Sequence, residues 1–148
     1  MTGPETYPLL GWREWLALPD LDINPIKAKI DSGARSSALH AFKIRAYRKG
    51  GQRWVAFSIH PYQDDDNTVV ECHAPVKDRR RVTDSGGHST MRYVIETRIV
   101  IGDHDFTGEM TLTNRDTMKF RMLLGRTAMQ HRFCIDPAAS YLQGQPKP

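Results

Sequence analysis

The sequence has few cysteines and no long apolar run, and each shortage excludes a class of protein. Its two cysteines, Cys72 and Cys134, are too few for a disulfide framework and are typical of a reducing compartment. No apolar stretch approaches the roughly 18–20 residues that a membrane-spanning helix needs. The first residues also lack the basic stretch and apolar run of a signal peptide. We therefore expect a cytoplasmic protein with no membrane partner.

The sequence also has only a small excess of positive charge. The sequence has 21 Lys and Arg against 17 Asp and Glu, a net charge of +4, which permits an acidic partner without requiring one. Its 148 residues are enough for one domain with a single core, and 39% hydrophobic residues are typical of a globular chain. We place this domain at 11–138, between an N-terminal extension at 1–10 and a frayed C-terminal tail at 139–148.

Alternation of apolar and polar residues dominates the chain and predicts strands with one buried face. The longest run extends from Met91 to Ile101, with Arg92 and Arg98 on its outward face. Shorter runs occur at 26–30, 42–46, 55–59, 70–74, 106–113 and 118–124, the last with Lys119 and Arg121 outward. Residues 126–131 favour a short helix, and 12–16 stays open between helix and strand. The pattern predicts a mainly β chain, a closed barrel or sandwich with one or two short helices.

The segment Ile26-Lys-Ala-Lys-Ile-Asp-Ser-Gly-Ala34 delivers Asp31 from a strand into a turn, where Gly33 permits tight backbone geometry. Asp31 is either a turn residue that caps the next segment or a catalytic acid. The apolar entry strand, Ala34 and the later Met122-Leu-Leu-Gly-Arg126 favour the second interpretation. A second triplet, Asp84-Ser85-Gly86, has no apolar entry strand and no following alanine, and it is interpreted as a loop.

These segments resemble the retropepsin-like aspartic proteases. More narrowly, they resemble a bacterial family of that type, labelled as an ATP-dependent zinc protease and commonly encoded beside the ligase that adds glutamates to ribosomal protein S6. Six segments in order carry the resemblance: Gly11-Trp12, Leu18-Pro-Asp-Leu21, Ala28-Lys-Ile-Asp-Ser-Gly-Ala34, Ser37-Ala-Leu-His-Ala41, Thr111-Leu-Thr-Asn-Arg115 and Phe120-Arg-Met-Leu-Leu-Gly-Arg126. The resemblance implies a retropepsin-like closed β-barrel, a homodimer, and proteolysis of an acidic or glutamate-tailed ribosomal protein, with S6 as a candidate.

The resemblance also implies roles for individual residues. Asp31 from each of two chains would form a carboxylate pair that shares a proton, so that one acts as base on a water while the other donates to the scissile carbonyl. The hydroxyl of Ser32 would hydrogen-bond across to the partner loop. The residues expected to support the active-site loop are Ser32, Gly33, Ala34, Leu123, Leu124 and Gly125.

One position departs from the retropepsin pattern. Retropepsins of viruses usually carry an acidic residue after the alanine, paired with the arginine of Gly-Arg, whereas this chain has Arg35. Arg126 would then pair with another carboxylate, such as Asp136 or Glu109. Alternatively, Arg35 faces a substrate carboxylate and belongs with Arg126 to the substrate-binding residues, because arginine binds carboxylates in bidentate geometry. Both alternatives stay open.

The words "ATP" and "zinc" in the family label find no motif in this sequence. It has no G-x-x-x-x-G-K-[ST] phosphate loop, and none of its histidines is followed by glutamate, so the H-E-x-x-H zinc helix is missing. The six histidines are scattered, which leaves only a zinc site assembled from distant residues as an alternative. We expect neither a cofactor nor a metal.

Two non-enzymatic hypotheses compete with the protease. One is a protease-like module that binds acidic tails through Arg35 and the basic run Lys77-Asp-Arg-Arg-Arg81, which is otherwise a solvated loop. The other is a basic β domain associated with RNA or the ribosome. It ranks last, and nucleic acid is not an expected partner, because few exposed-looking aromatics alternate with basic residues on one strand. The loop at about 77–90 is the candidate cover of the cleft.

Overall fold

The computed structural model describes residues 6–83, 86–114 and 119–147, and it confirms the mainly β prediction. Strand accounts for 56% and helix for 5%. The strands are β1 (Leu9–Leu10), β2 (Arg13–Leu18), β3 (Ile23–Ile30), β4 (Ser37–His40), β5 (Phe42–Lys49), β6 (Gln52–Ile59), β7 (Val70–Pro75), β8 (Asp78–Thr83), β9 (Ser89–Ile101), β10 (His104–Thr113), β11 (Met122–Leu124) and β12 (Cys134–Ile135). A 3-10 helix spans Pro19–Leu21 and α1 spans Arg126–Met129. In the described parts of the chain, no helix is long and apolar enough to cross a membrane.

Six strands form a closed barrel, as predicted. Their order around the ring is β10, β4, β11, β3, β2 and β9, and β9 pairs with β10 to close it. Closure removes the unpaired edges of the sheet and lets one face of every strand bury its side chains. Two of the pairings are parallel, β11 with β3 and β10 with β4, and both involve strands that flank Asp31 in the sequence.

The period-two pattern accounts for the barrel core. Ile26 and Ala28 of β3 are fully buried, whereas Lys29, which follows Ala28, is exposed. The fully buried large side chains come from strands throughout the ring and include Leu16, Leu18, Leu39, Ile95, Ile99, Ile101 and Met110. Burial of apolar surface at about 25 cal/mol per Å² drives this arrangement, because only the alternating register places all of these groups inside.

A three-stranded antiparallel sheet, β5-β6-β7, packs beside the barrel. Its first two strands form a hairpin around Gly50 and Gly51, whose φ angles of 59° and 78° favour glycine. The inner face of the sheet, with Val55, Phe57 and Cys72, belongs to the hydrophobic core.

Two outward assignments from the sequence are wrong. Arg92 is 8% exposed and Met91 is 45% exposed, the reverse of the prediction, because the first half of β9 leaves the ring and pairs with β8. The side chain of Arg121 is only 12% exposed and pairs with Asp66 at 3.0 Å. Since β11 begins at Met122, the alternation of that strand does not extend back to Arg121. The predicted start of this run at 118 lies outside the described residues.

The segment after residue 138, assigned from the sequence to a tail, is hydrogen-bonded to the first strands. The amide N–H of Trp12 donates to the carbonyl of Ala139 at 2.8 Å. Glu14 is fully buried, and its carboxylate accepts hydrogen bonds from the backbone N–H groups of Gly11 (2.6 Å), Leu142 (3.0 Å) and Gln143 (3.1 Å). The buried carboxylate therefore connects β2 to the C-terminal segment.

We expect Glu14→Gln to destabilise the fold by about 1–3 kcal/mol, because an amide NH₂ replaces one acceptor oxygen and leaves a buried N–H donor unpaired. Urea unfolding measures the change. The control is Glu71→Gln, a carboxylate with a 61% exposed side chain, which should change stability by less than about 0.5 kcal/mol. Equal midpoints for the two variants would contradict the role of Glu14.

Candidate active site

Asp31 lies where two parallel strands end side by side. Its chain neighbour Ile30 is paired with Leu124 at the ends of β3 and β11. The backbone N–H of Asp31 donates to the carbonyl of Leu124 at 2.9 Å, which extends the ladder by one bond. The two segments singled out in the sequence are therefore adjacent in the fold, and the aspartate follows directly from a rigid strand.

The two carboxylate oxygens of Asp31 have different surroundings. Oδ1 accepts hydrogen bonds from the N–H groups of Gly33 (2.9 Å) and Ala34 (3.3 Å). This is the turn-capping role that was one of the two interpretations of Asp31 from the sequence. Oδ2 has no hydrogen-bond partner among the described residues. Since the side chain is half-buried at the surface of a cleft, one oxygen holds the turn and the other is left to meet a ligand.

Gly125 holds the loop that follows Asp31 against β11. A Cβ at this position would lie 2.5 Å from the carbonyl carbon of Ser36 and 2.6 Å from its oxygen, closer than any side chain can approach. The N–H of Gly125 donates to the hydroxyl of Ser37 at 3.0 Å in a buried contact. Only glycine allows the two backbones to come this close.

The start of α1 completes the support of the loop. The N–H groups of Arg126 and Thr127 donate to the carbonyls of Ala34 (2.7 Å) and Arg35 (3.0 Å). The guanidinium Nη1 of Arg126 donates to the carbonyl of Ser32 at 3.1 Å. The structure thus brings the sequence-predicted support residues together around Asp31, while the half-buried Leu123 lines the adjacent cleft.

Asp31 opens into a cleft of about 970 Å³ that is rich in arginine. Asp31 is the one carboxylate among the lining residues in the described parts of the chain. The arginines that line the cleft with it are Arg35, Arg80, Arg81, Arg92 and Arg126. Guanidinium groups around a single carboxylate give the cleft an excess of positive charge, which favours an anionic ligand.

Arg80 is held in the cleft wall by acidic residues behind it. Its Nη1 and Nη2 donate to the two oxygens of Glu109 at 3.0 and 3.4 Å, and its Nε donates to Asp78 at 2.9 Å. Hydrogen bonding from Arg80, and to a smaller extent from Lys77, lowers the pKa of Glu109 although partial burial opposes it. Glu109 therefore stays ionised at neutral pH, and the fork of Arg80 keeps its orientation.

The structure decides between the partners considered for Arg126. Neither carboxylate named from the sequence is within salt-bridge distance of it: Glu109 binds Arg80 and Lys77, and Asp136 accepts the N–H of Ala138. Arg126 instead contacts the carbonyl of Ser32. Arg35 is exposed and has no acidic partner in the described residues. The alternative in which Arg35 and Arg126 bind a substrate carboxylate therefore remains.

Sequence reasoning missed the contribution of β8 and β9 to the site. Residues 78–83, interpreted as part of a solvated loop, form strand β8, and its Arg80 and Arg81 face the same cleft as Asp31. Arg92 joins them from β9. The basic run was the available signal, but its placement follows from the pairing of β8 with β9. Residues 84 and 85 of the predicted cover and of the second Asp-Ser-Gly triplet lie outside the described residues.

Two other kinds of catalytic group, a metal ion and the buried Cys72 thiol, find no support in the described residues. Within 6–83, 86–114 and 119–147, no group of three or more His, Cys, Asp or Glu side chains could hold a metal ion. Burial, together with the charges of Asp22 and Glu71, raises the pKa of the Cys72 thiol to about 12. A thiol of that kind is protonated at neutral pH and is not a nucleophile. Asp31 therefore remains the candidate catalytic group.

Comparison with known proteins identifies a family whose model matches this chain. The model of a family described as "RimB-like: Retropepsin-like aspartic endopeptidase RimB" matches residues 9–146. Among solved structures, a protein of unknown function (DUF785) from Legionella pneumophila subsp. pneumophila strain Philadelphia 1 superimposes with a TM-score of 0.78 at 25% identity. That match covers 93% of this chain and 99% of the Legionella chain.

Curated relatives are longer proteins. The chain is 44% identical over 137 residues to a probable alpha-L-glutamate ligase from Shewanella halifaxensis (strain HAW-EB4), and 43% identical over 136 residues to one from Parasynechococcus marenigrum (strain WH8102). These matches cover 93% and 92% of this chain but 30% and 29% of the relatives. The chain thus spans about 30% of the length of the curated relatives it matches.

We expect Gly125→Ala to destabilise the protein by about 1–3 kcal/mol or more, because its Cβ would press on the backbone of Ser36, the residue directly before β4. Gly108→Ala is the matched control, since its Cβ would meet side-chain atoms and no backbone: Cδ1 of Ile99 at 3.0 Å and Cε2 of Phe106 at 3.9 Å. Thermal unfolding compares the two variants. Equal melting temperatures would contradict the close approach.

Proposed function

We propose, because the chain belongs to the RimB-like family of retropepsin-like aspartic endopeptidases, that it hydrolyses peptide bonds with a pair of Asp31 carboxylates. Each of two copies of the chain supplies one aspartate. The observation that carries the proposal is the placement of Asp31 on a rigid turn at the floor of a cleft large enough for a peptide.

The chemistry needs two carboxylates in different protonation states. Two such groups held close together share a proton, because both cannot ionise easily at short distance. The ionised Asp31 takes a proton from water as the water oxygen attacks the peptide carbonyl, and the protonated one donates to the carbonyl oxygen. Since Oδ1 is engaged by the N–H groups of Gly33 and Ala34, Oδ2 is the atom that meets water or the second carboxylate.

The arginines of the cleft support an acidic substrate. A guanidinium binds a carboxylate through two parallel hydrogen bonds, and the exposed Arg35 lines the cleft with Asp31. Four further arginines line the same cleft, of which Arg80 already binds Glu109. Matching relatives carry the name glutamate ligase, which suits a substrate that contains added glutamates. We propose a glutamate-tailed protein as the substrate, with ribosomal protein S6 as the candidate that the family resemblance suggests.

The hairpin of β8 and β9 is the proposed cover. Arg80 to Thr83 and Arg92 line the cleft from strands that extend beyond the closed ring. A hairpin that extends beyond the ring can open for a substrate and then close over it, which excludes water from the reacting groups. In this role the hairpin also brings arginines onto the bound peptide.

A second candidate function is binding of acidic tails without cleavage. The observation that favours it is that the described chain offers the cleft one carboxylate and five arginines, an arrangement that binds anions whether or not a second aspartate arrives. Wild-type protein that binds a glutamate tail and never cleaves it between pH 4 and pH 8 would support this candidate over the peptidase.

Asp31→Asn should reduce cleavage of a glutamate-tailed protein by at least about 100-fold, because an amide cannot act as general base. Mass spectrometry of the products measures turnover, and sedimentation shows whether the oligomeric state is kept. Asp103→Asn, which changes an exposed carboxylate that pairs with Lys147, is the control with unchanged activity. Undiminished turnover by Asp31→Asn would exclude the mechanism.

Mixing wild-type and Asp31→Asn protein tests whether two copies of the chain share one active site. If each active site takes one Asp31 from each copy, a tenfold excess of Asp31→Asn protein should lower the activity of the wild type about tenfold, because nearly all wild-type chains enter mixed dimers. Inert bovine serum albumin at the same concentration is the control. Full activity in the mixture, with subunit exchange verified by light scattering of tagged chains, would contradict a shared site.

Arg35→Gln should raise the KM for a glutamate-rich peptide about tenfold and leave the KM for its glutamine analogue unchanged, because one charge-assisted hydrogen bond is lost. The difference should vanish below about pH 4, where glutamate carboxyls become protonated. Arg98→Gln is the control, since Arg98 pairs with Asp105 away from the cleft. Equal effects on both peptides would contradict carboxylate recognition by Arg35.

A further inference from the structure

One hairpin of the chain carries several basic residues and no acidic one. Residues 42–59, which form β5, its turn and β6, contain five basic residues and no acidic one: Lys43, Arg45, Arg48, Lys49 and Arg53. Without them the chain has 16 Lys and Arg against 17 Asp and Glu, a net charge of −1. The charge of this hairpin, +5, therefore exceeds the net charge of the whole chain, +4.

These basic side chains are available to a ligand. All five are exposed. Arg45 has an acidic partner, Glu71 at 3.8 Å, in an ion pair whose side chains are 64% and 61% exposed. In the described parts of the chain, the other four have no carboxylate within salt-bridge distance. A surface ion pair of this kind is weak and exchanges easily for another anion.

Aromatic rings stand among the basic groups on the outer face of the sheet. Arg45, Tyr47 and Lys49 share one face of β5 because they alternate, and the register places Trp54 of β6 directly opposite Tyr47. Both rings are half-buried. The ammonium of Lys49 lies 4.8 Å from the centroid of the Trp54 ring, and the guanidinium of Arg45 lies 5.8 Å from that of Tyr47.

We propose that this outer face binds single-stranded nucleic acid, with phosphates on the basic side chains and bases stacked on Tyr47 and Trp54. Aromatic rings stack on any base, and basic groups between them follow the phosphate backbone. An acidic peptide or an anionic lipid surface offers charge but no planar rings to stack on these side chains, so the combination favours nucleic acid. The face is separate from the cleft, since none of its residues lines the cavity at Asp31.

The sequence disfavoured this partner for a reason that the fold removes. Along β5 alone, Tyr47 is the one aromatic residue that shares its face with Arg45 and Lys49. The second ring comes from the opposite strand, through the pairing of Tyr47 with Trp54 across the Gly50-Gly51 turn. A cross-strand pair of aromatics cannot be recognised by alternation within one strand.

Fluorescence anisotropy with a labelled 12-nucleotide oligouridylate tests the proposal on the full chain. We expect binding at 20 mM KCl that weakens with salt, with a slope of about −1.4 in log K against log [KCl], since Arg45 and Lys49 of this face supply two phosphate contacts and each contact of a single strand contributes about −0.7. Lys49→Gln should reduce this slope by about 0.7. Lys147→Gln, which removes one charge from an exposed pair with Asp103, is the matched control with an unchanged slope.

Stacking is tested by substitution of the ring. Trp54→Ala should lose at least about fivefold in affinity for the oligouridylate, whereas Trp54→Phe, which keeps a ring to stack, should stay close to the wild type. Thermal unfolding of both variants confirms that they are folded. Tyr47→Ala gives the same expectation for the second ring if Trp54→Ala is unstable. Cleavage of a glutamate-tailed protein by these variants should be unchanged, so failure here is distinguishable from failure of the peptidase.

A second probe, oligothymidylate, distinguishes RNA from DNA as the ligand. Tighter binding of oligouridylate than of oligothymidylate supports RNA, and equal binding supports recognition by stacking and charge alone. Absence of binding to both at 20 mM KCl would overturn the proposal. So would equal losses of affinity in Lys147→Gln and Lys49→Gln, or binding only to a glutamate peptide or to phosphatidylglycerol vesicles.

Discussion

The contact between Gly125 and the backbone of Ser36 is the constraint on which the candidate site depends. It brings the end of β11 against the loop that follows Asp31, at a distance that only glycine permits. The hydrogen bonds from Asp31 to Leu124, and from Arg126 and Thr127 back to Ala34 and Arg35, all require this approach. The aspartate is rigid because two distant segments hold each other in place.

The distribution of charge distinguishes two basic regions of different chemistry. In the cleft, arginines surround a single carboxylate, and Glu109 behind the wall orients Arg80. Planar guanidinium groups suit carboxylates, which agrees with the acidic substrate that we propose. On the β5–β6 hairpin the basic groups alternate with aromatic rings, a combination that suits bases and phosphates. Two sites of unlike chemistry would let one small domain hold its substrate in the cleft while the hairpin binds a nucleic-acid surface.

Local patterns were sufficient to predict much of the fold and part of the site. Alternation located β3, β6, β7 and the long β9, because burial of one face imposes a period of two whatever the topology. The strand, turn and glycine around Asp31, and the apolar segment before Arg126, were also recognisable from residue type. The prediction failed where a strand changes its environment, as β9 does at Met91 and Arg92, or where a strand is short, as β11 is beside Arg121.

Residue order by itself determined the mainly β class, the family to which the chain belongs and the aspartate that forms the candidate catalytic group, because each depends on types and spacings along a short stretch. Tertiary structure decided what surrounds that aspartate. The arginines of β8 and β9 reach it through strand pairing, Glu14 ties the C-terminal segment to β2 through buried hydrogen bonds, and Tyr47 meets Trp54 across a hairpin. These contacts join residues far apart along the chain or on opposite strands, and the register that brings them together is a property of the whole barrel and its adjoining sheet.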